Sequence, residues 1–152
     1  MHTLLLLRYH CRMAWMEKSL VVKKSQICGA GKGLFTRIAI AKGERIAEYK
    51  GRIQRWVDVK HEDGHNGYLM RINRQQVING LKYKKTFARY ANDARGIAKI
   101  KGLRNNAEFL TDGKRCFLEA KQIILKGEEI LAGYGKEYWV LIRKINREVK
   151  KI

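Results

Sequence analysis

The apolar residues of this chain fall in short runs, rich in β-branched and aromatic types and punctuated by glycine, asparagine and aspartate. That pattern predicts strands in preference to helices. Residues 19–24 read as a first strand, the run Gly29-Ala30-Gly31-Lys32-Gly33 as a loop, and residues 34–40 as a second strand. Lys42-Gly43 turns the chain into a strand at 45–49. Further strands are expected at 68–72, at 77–78, and at 107–110 paired with 116–120 across Asp112-Gly113, a favoured hairpin dipeptide. Lys126-Gly127 makes one more turn before 130–132. Only two stretches read as helical. One is brief, at 54–60; the other is a tail from Lys136, in which Trp139, Ile142, Ile145 and Val149 recur at three- and four-residue spacing opposite a basic face. The apolar stripe of the tail reads as core packing, not as a cofactor wall.

A chain of 152 residues with no repeat, no low-complexity tract and no proline fits one core and offers no interdomain linker. Thirty-three Lys and Arg against fourteen Asp and Glu leave a formal charge of +19, which biases encounters towards polyanions and acidic surfaces. The cations run from Arg8 to Lys151 without a dense tract, so they read as a solvated basic surface, compatible only with non-specific nucleic-acid association. Cys11, Cys28 and Cys116 are odd in number and widely spaced, which points to reduced thiols in a cytoplasmic compartment and shows no zinc pattern. Leu4-Leu5-Leu6-Leu7 is far shorter than the roughly 20 apolar residues of a membrane span, so no membrane partner is expected. His61 and His65 stand four apart, but Asp63-Gly64 between them breaks a helix, and they read as a polar loop.

The glycine-rich run invites a phosphate-binding reading, yet a P-loop requires Lys-Ser or Lys-Thr after its last glycine and here Gly33 precedes Leu34. A dinucleotide fingerprint should open a helix, whereas the residues after Gly33 read as a strand. Small residues at such a turn let the backbone approach a ligand with no Cβ in the way. Taken in order, Gly29-Ala30-Gly31-Lys32-Gly33-Leu34-Phe35, Arg89-Tyr90-Ala91-Asn92 and Gly127-Glu128-Glu129-Ile130-Leu131-Ala132-Gly133-Tyr134-Gly135 resemble the SET-domain methyltransferases. Glu48-Tyr49-Lys50-Gly51 is similar to a further strand-ending motif of that family, and the matches together cover roughly residues 19–139.

The resemblance implies a mostly β fold, a SET domain of several small sheets around a C-terminal pseudoknot, with few short helices and a C-terminal helix. It divides the chain into an N-terminal extension at 1–18, the domain at 19–139 and a basic helix at 140–152 packed on it. It implies transfer of a methyl group from S-adenosylmethionine to a lysine ε-amine of a protein or peptide. Tyr134 and Tyr49 take the catalytic positions. Ala30, Gly31, Lys32, Gly33, Tyr68, Arg89, Asn92, Asp93 and Trp139 take the cofactor side, and Phe109 and Tyr138 the substrate side; no metal is implied. Phe109 follows Asn106 by three, at a position that relatives fill with tyrosine or phenylalanine; phenylalanine there implies di- or trimethyl-lysine as product.

The chain departs from the family pattern in three places. Asp93-Ala94-Arg95 replace His-Ser-Cys after Asn92, Gly133 replaces the aspartate before the catalytic tyrosine, and no cysteine follows Cys116 to build a C-terminal zinc cluster. Tyr138 and Trp139 are therefore candidates to close the site over the adenine, although Trp139 reads equally well as a core anchor of the helix. Glu129 reads as a brace of the fold. The alternative to an enzyme is a catalytically weak binding module of the same fold, using its basic surface for nucleic acid or an acidic protein.

Overall fold

The computed structural model describes residues 16–96 and 98–151. The expected extension at 1–15 lies outside them, but Met16 is buried in the core, so packed chain begins ahead of residue 19. Among the described residues nine strands form three antiparallel three-stranded sheets. The first joins β1 (Leu20–Lys24), β2 (Lys32–Thr36) and β9 (Glu129–Ile130) in the order β1-β2-β9. The second has the order β3-β8-β7, from β3 (Arg45–Glu48), β7 (Ala107–Asp112) and β8 (Arg115–Ala120). The third, β4-β6-β5, is built from β4 (Arg52–Arg55), β5 (Leu69–Arg71) and β6 (Gln76–Asn79). Helix α1 (Trp56–Val59) runs into a 3-10 turn at Lys60–Glu62, a second 3-10 turn spans Ala88–Tyr90, and α2 (Lys136–Val149) ends the fold. No helix among the described residues is long and apolar enough to cross a membrane.

Strands this short cannot bury a face alone, and the three sheets meet over one apolar cluster that includes Leu34, Ile40, Ile46, Leu118, Ile124 and Ile130. The Asp112-Gly113 hairpin forms in the expected register, with Asp112 opposite Arg115 and Gly113 at φ +59°. Three expected elements differ. The second strand stops at Thr36, because the Thr36 hydroxyl accepts a hydrogen bond from the Ile38 N–H and donates to the Ile38 carbonyl, which turns the chain; Ile40 then bridges separately to Ile124. The helix expected at 54–60 begins only at Trp56, since Gln54 and Arg55 pair with Val77 and Gln76 as the end of β4. In α2, Trp139 is buried but Val149 is 64% exposed, so the apolar stripe packs over only the first turns.

The closing segment positions the site. Residues after β9 run between two earlier stretches. On one side the Leu131 carbonyl accepts from the Asn106 and Ala107 N–H groups, while the Leu131 N–H donates to the Asn106 side chain. On the other the Ala132 N–H donates to the Asn92 carbonyl. Parallel bridges Asn92–Leu131 and Ala107–Ala132 record this threading. Two buried bonds to Asn106, from Leu131 N–H and to the Glu129 carbonyl, clamp the threaded strand.

Candidate active site

A cleft of about 720 Å3 opens between the β4-β6-β5 sheet, the end of β3, β7 and the start of α2. Its wall includes Tyr49, Phe109, Tyr134, Tyr138, Arg89 and Ala91, so both expected catalytic tyrosines and both expected substrate-side residues line one space. Tyr49 follows β3 and is held by its N–H, which donates to the Cys116 carbonyl, and by its hydroxyl, which donates to the Tyr68 carbonyl at 3.0 Å. Phe109 on β7 meets the Tyr49 ring edge-on at 5.8 Å. The Tyr134 hydroxyl donates to the Ala91 carbonyl at 2.8 Å, and its ring lies parallel to Trp139 at 5.7 Å and edge-on to Tyr138 at 5.3 Å. Burial pushes the Tyr134 and Tyr49 hydroxyls well above the usual phenol range; the Arg89 guanidinium pulls Tyr49 back in part.

Asp93 holds this arrangement in place. Its Oδ1 accepts from the Arg95 N–H and the Asn105 side-chain amide, both at 2.9 Å, and its Oδ2 from the Tyr134 N–H and the Trp139 indole, both at 2.8 Å. Burial alone would raise its pKa, but these four donors hold the carboxyl below the usual carboxylate range. Sequence reasoning placed Asp93 on the cofactor side and missed this role. A buried carboxylate that ties a loop, the tyrosine segment and a helix can be recognised only once those segments are adjacent. Asn105, which also accepts from the Ala94 N–H, was missed for the same reason.

The glycine-rich loop and Asn92 come together beside this hub. The Asn92 side-chain amide donates to the Lys32 carbonyl at 2.9 Å and to Glu129 Oε1 at 3.3 Å, while its Oδ1 accepts nothing among the described residues. Glu129 is buried and braces the loop, accepting from the Ser25 hydroxyl and the Gln26 N–H. Gly33 is required by that brace, because a Cβ there would collide with Glu129 Oε1. Gly31, at φ +71°, has open space where a Cβ would stand.

Tyr68 and Arg89 pair with each other, and Arg89 lines the tyrosine cleft. The Arg89 guanidinium lies 3.7 Å from the Tyr68 ring centroid and donates to the Gly80 and Leu81 carbonyls. Arg89 is 9% exposed, has no carboxylate partner among the described residues, and its Nε is buried without an acceptor. Trp139 packs as an anchor, at 8% exposure, with its indole N–H on Asp93, one face against Tyr134 and its edge against Gly96, where a Cβ would collide with it. Trp56, Met70 and Leu141 also line the cleft and carry no sequence signal beyond being apolar. Among the described residues no group of three or more His, Cys, Asp or Glu could hold a metal ion.

A family model described as the SET domain matches residues 31–135. No curated protein matches the chain. The matched span runs from the glycine-rich turn through the Asn92 segment to the tyrosine of the threaded strand, and covers more than half of the sequence. The chain therefore belongs to the SET domain family, whose members are generally methyltransferases.

Proposed function

We propose that this protein is an S-adenosylmethionine-dependent protein-lysine N-methyltransferase. The observation that carries the reading is the aromatic cleft itself, in which two buried tyrosine hydroxyls, each donating to a backbone carbonyl, face the same space as Phe109 and Tyr138. An aliphatic amine on a long apolar stem fits such a space.

The residues present suit the cofactor. Gly31 leaves an open left-handed turn, and Asn92 Oδ1 next to it is a free acceptor for an amino or hydroxyl group. Arg89 brings a positive charge with no carboxylate of its own, which suits the carboxylate end of an amino-acid moiety. Ala30, Lys32, Gly33, Tyr68 and Asp93 would frame the same region, with Asp93 acting through the segments it ties together. When bound, the cofactor supplies an electrophilic methyl group on a sulfonium.

The chain's own groups then have three tasks. The aromatic walls strip water from the incoming lysine, and this desolvation favours its neutral, nucleophilic form over the ammonium that predominates in water. Tyr134 and Tyr49 stay protonated near neutral pH, so neither is the base; the amine gives up its proton to water before it enters. With its proton committed to the Ala91 carbonyl, the Tyr134 oxygen keeps lone pairs to orient the amine and the transferring methyl for in-line attack.

Incubation with methyl-labelled S-adenosylmethionine and a total-protein extract should label a protein on lysine, and calorimetry should detect the cofactor. Absence of both label and binding would leave the binding-module alternative.

A further inference from the structure

We infer that the outer face of α2 is a docking surface for the phosphate backbone of duplex nucleic acid. In sequence the cations are scattered among apolar residues, but at about 100° per residue Lys136, Arg143, Lys144, Arg147, Lys150 and Lys151 fall within roughly 120° of arc. Val140 is the one uncharged residue in that arc, and Glu137 and Glu148 lie at its margin. All six cations are exposed; the helix packs through Leu141 and Ile145 against Gly64 on the side opposite the arc, and through Trp139 on Gly96 at the edge of the arc beside Lys150. The turn continues past the helix end through the Lys150 N–H to the Asn146 carbonyl and the Lys151 N–H to the Glu148 carbonyl, so the last two cations hold the same direction.

None of the six forms an ion pair among the described residues, where the ion pairs present involve Arg45, Arg55, Arg115 and His61. Residues 1–15 contain no Asp or Glu, so they bring no side-chain carboxylate to the face either. Arg143 and Arg147 stand at i, i+4, as do Arg147 and Lys151, and like charges at that spacing destabilise a helix. A polyanion laid along the face removes this repulsion.

The stripe is straight and about 20 Å long at 1.5 Å per residue. The two strands of a duplex together present one phosphate per about 1.7 Å of axis, so a rod of this length meets a dense row of charges on the groove edges that it crosses. No aromatic residue stands in the arc to stack on bases, which separates this surface from a single-strand platform. Arginine forks at 143 and 147 suit phosphate oxygens, and the uniform sign carries no base readout, so binding is independent of sequence. Lys136 lines the cleft, so a duplex on this face ends beside the cleft mouth. The surface does not depend on methyl transfer.

The test is fluorescence anisotropy of the full chain with a labelled 20-base-pair DNA duplex across a salt series. Wild type should bind at low salt with a steep negative slope of log K against log salt. The triple variant Arg143→Gln, Arg147→Gln, Lys150→Gln should lose about 2–3 from that slope, near 0.9 per phosphate contact. A charge-matched control, Lys82→Gln, Lys84→Gln, Lys85→Gln in the exposed loop after β6, should keep the wild-type slope to within about one contact. All six sites are exposed, and circular dichroism verifies that both variants fold. Equal losses in the two variants would mean diffuse attraction by the whole surface and would overturn the assignment. So would an unchanged slope in the α2 variant, or tighter binding to polyglutamate than to duplex at equal salt, which would point to an acidic protein instead.

Discussion

Replacing Asp93 by asparagine changes one atom at the centre of the site and tests whether the four-donor hub holds the tyrosine segment in place. The carboxylate accepts two donors on each oxygen. An asparagine can keep only one of those oxygens, so whichever way the amide turns, its NH2 faces two donors. Either the Tyr134 N–H and the Trp139 indole lose their acceptor, or the Arg95 N–H and Asn105 do. Hydrogen bonds to a charged group contribute about 1.5–3 kcal/mol each, so losing two predicts a destabilisation of roughly 3–6 kcal/mol. That is a large fraction of the roughly 5–15 kcal/mol by which a domain is stable. The sign with pH follows from linkage. The folded carboxyl titrates below its unfolded value of about 3.9, so its contribution is fully present above that pH and is lost as pH falls through the folded pKa. Urea unfolding followed by tryptophan fluorescence should therefore show a wide gap between wild type and Asp93→Asn at neutral pH, narrowing in strong acid, where the wild-type group is itself protonated. A gap under about 1 kcal/mol at neutral pH, or one that persists undiminished through the acid limb, would refute the hub.

Tyr134→Phe should abolish most methyl transfer while leaving calorimetric affinity for S-adenosylmethionine nearly unchanged, since the hydroxyl faces the cleft and not the glycine-rich loop; normal turnover would remove Tyr134 from the reaction. Asn92→Ala should weaken cofactor affinity by about 1–3 kcal/mol, because it deletes the free acceptor and the tether to the Lys32 carbonyl, and an unaltered affinity would place the cofactor elsewhere. Mass spectrometry of an exhaustively reacted substrate should find di- or trimethyl-lysine, and Phe109→Tyr should shift the product towards fewer methyl groups by setting a hydroxyl beside Tyr49; a product that already stops at one methyl in wild type contradicts this.

Elements with a local cause were legible in the sequence. The Asp112-Gly113 hairpin follows from a two-residue turn, and the helical tail from the spacing of Trp139, Ile142 and Ile145. Boundaries failed where a distant partner decides them. Gln54 and Arg55 have ordinary helix propensity and become strand because β6 lies alongside, and the Thr36 side chain stops β2 through its own neighbour. For the site, the glycines, Asn92 and the tyrosines were readable because each sits in a short motif. Glu129 was readable as a brace, but not what it braces, and the ties made by Asp93, Asn105 and Asn106 were not readable, since all of these act across separations of 11 to 104 residues. Pattern along the chain holds no record of such pairings.

The two departures from the family pattern that bear most on catalysis, Asp93 and Gly133, are connected in space. Loss of the aspartate before Tyr134 removes a side chain that would brace the tyrosine from its own strand, and Gly133 is a flexible substitute. The carboxylate reappears at position 93, on the neighbouring segment across the threaded strand, and reaches the Tyr134 N–H at 2.8 Å. Gly133 lies beside this hub. A Cβ there would come within 3.4 Å of the Asn105 amide, the group that donates to Asp93 from the other side. The same carboxylate engages the Trp139 indole and so fixes the start of α2. One buried charge thus holds both the tyrosine and the C-terminal helix, which is why Asp93→Asn should loosen both together, and why Gly133→Asp should not rescue it. A carboxylate at 133 would enter beside the Asn105 amide on the tyrosine's own segment, and could not take the place of one group that accepts from the Arg95 N–H, Asn105, the Tyr134 N–H and the Trp139 indole together.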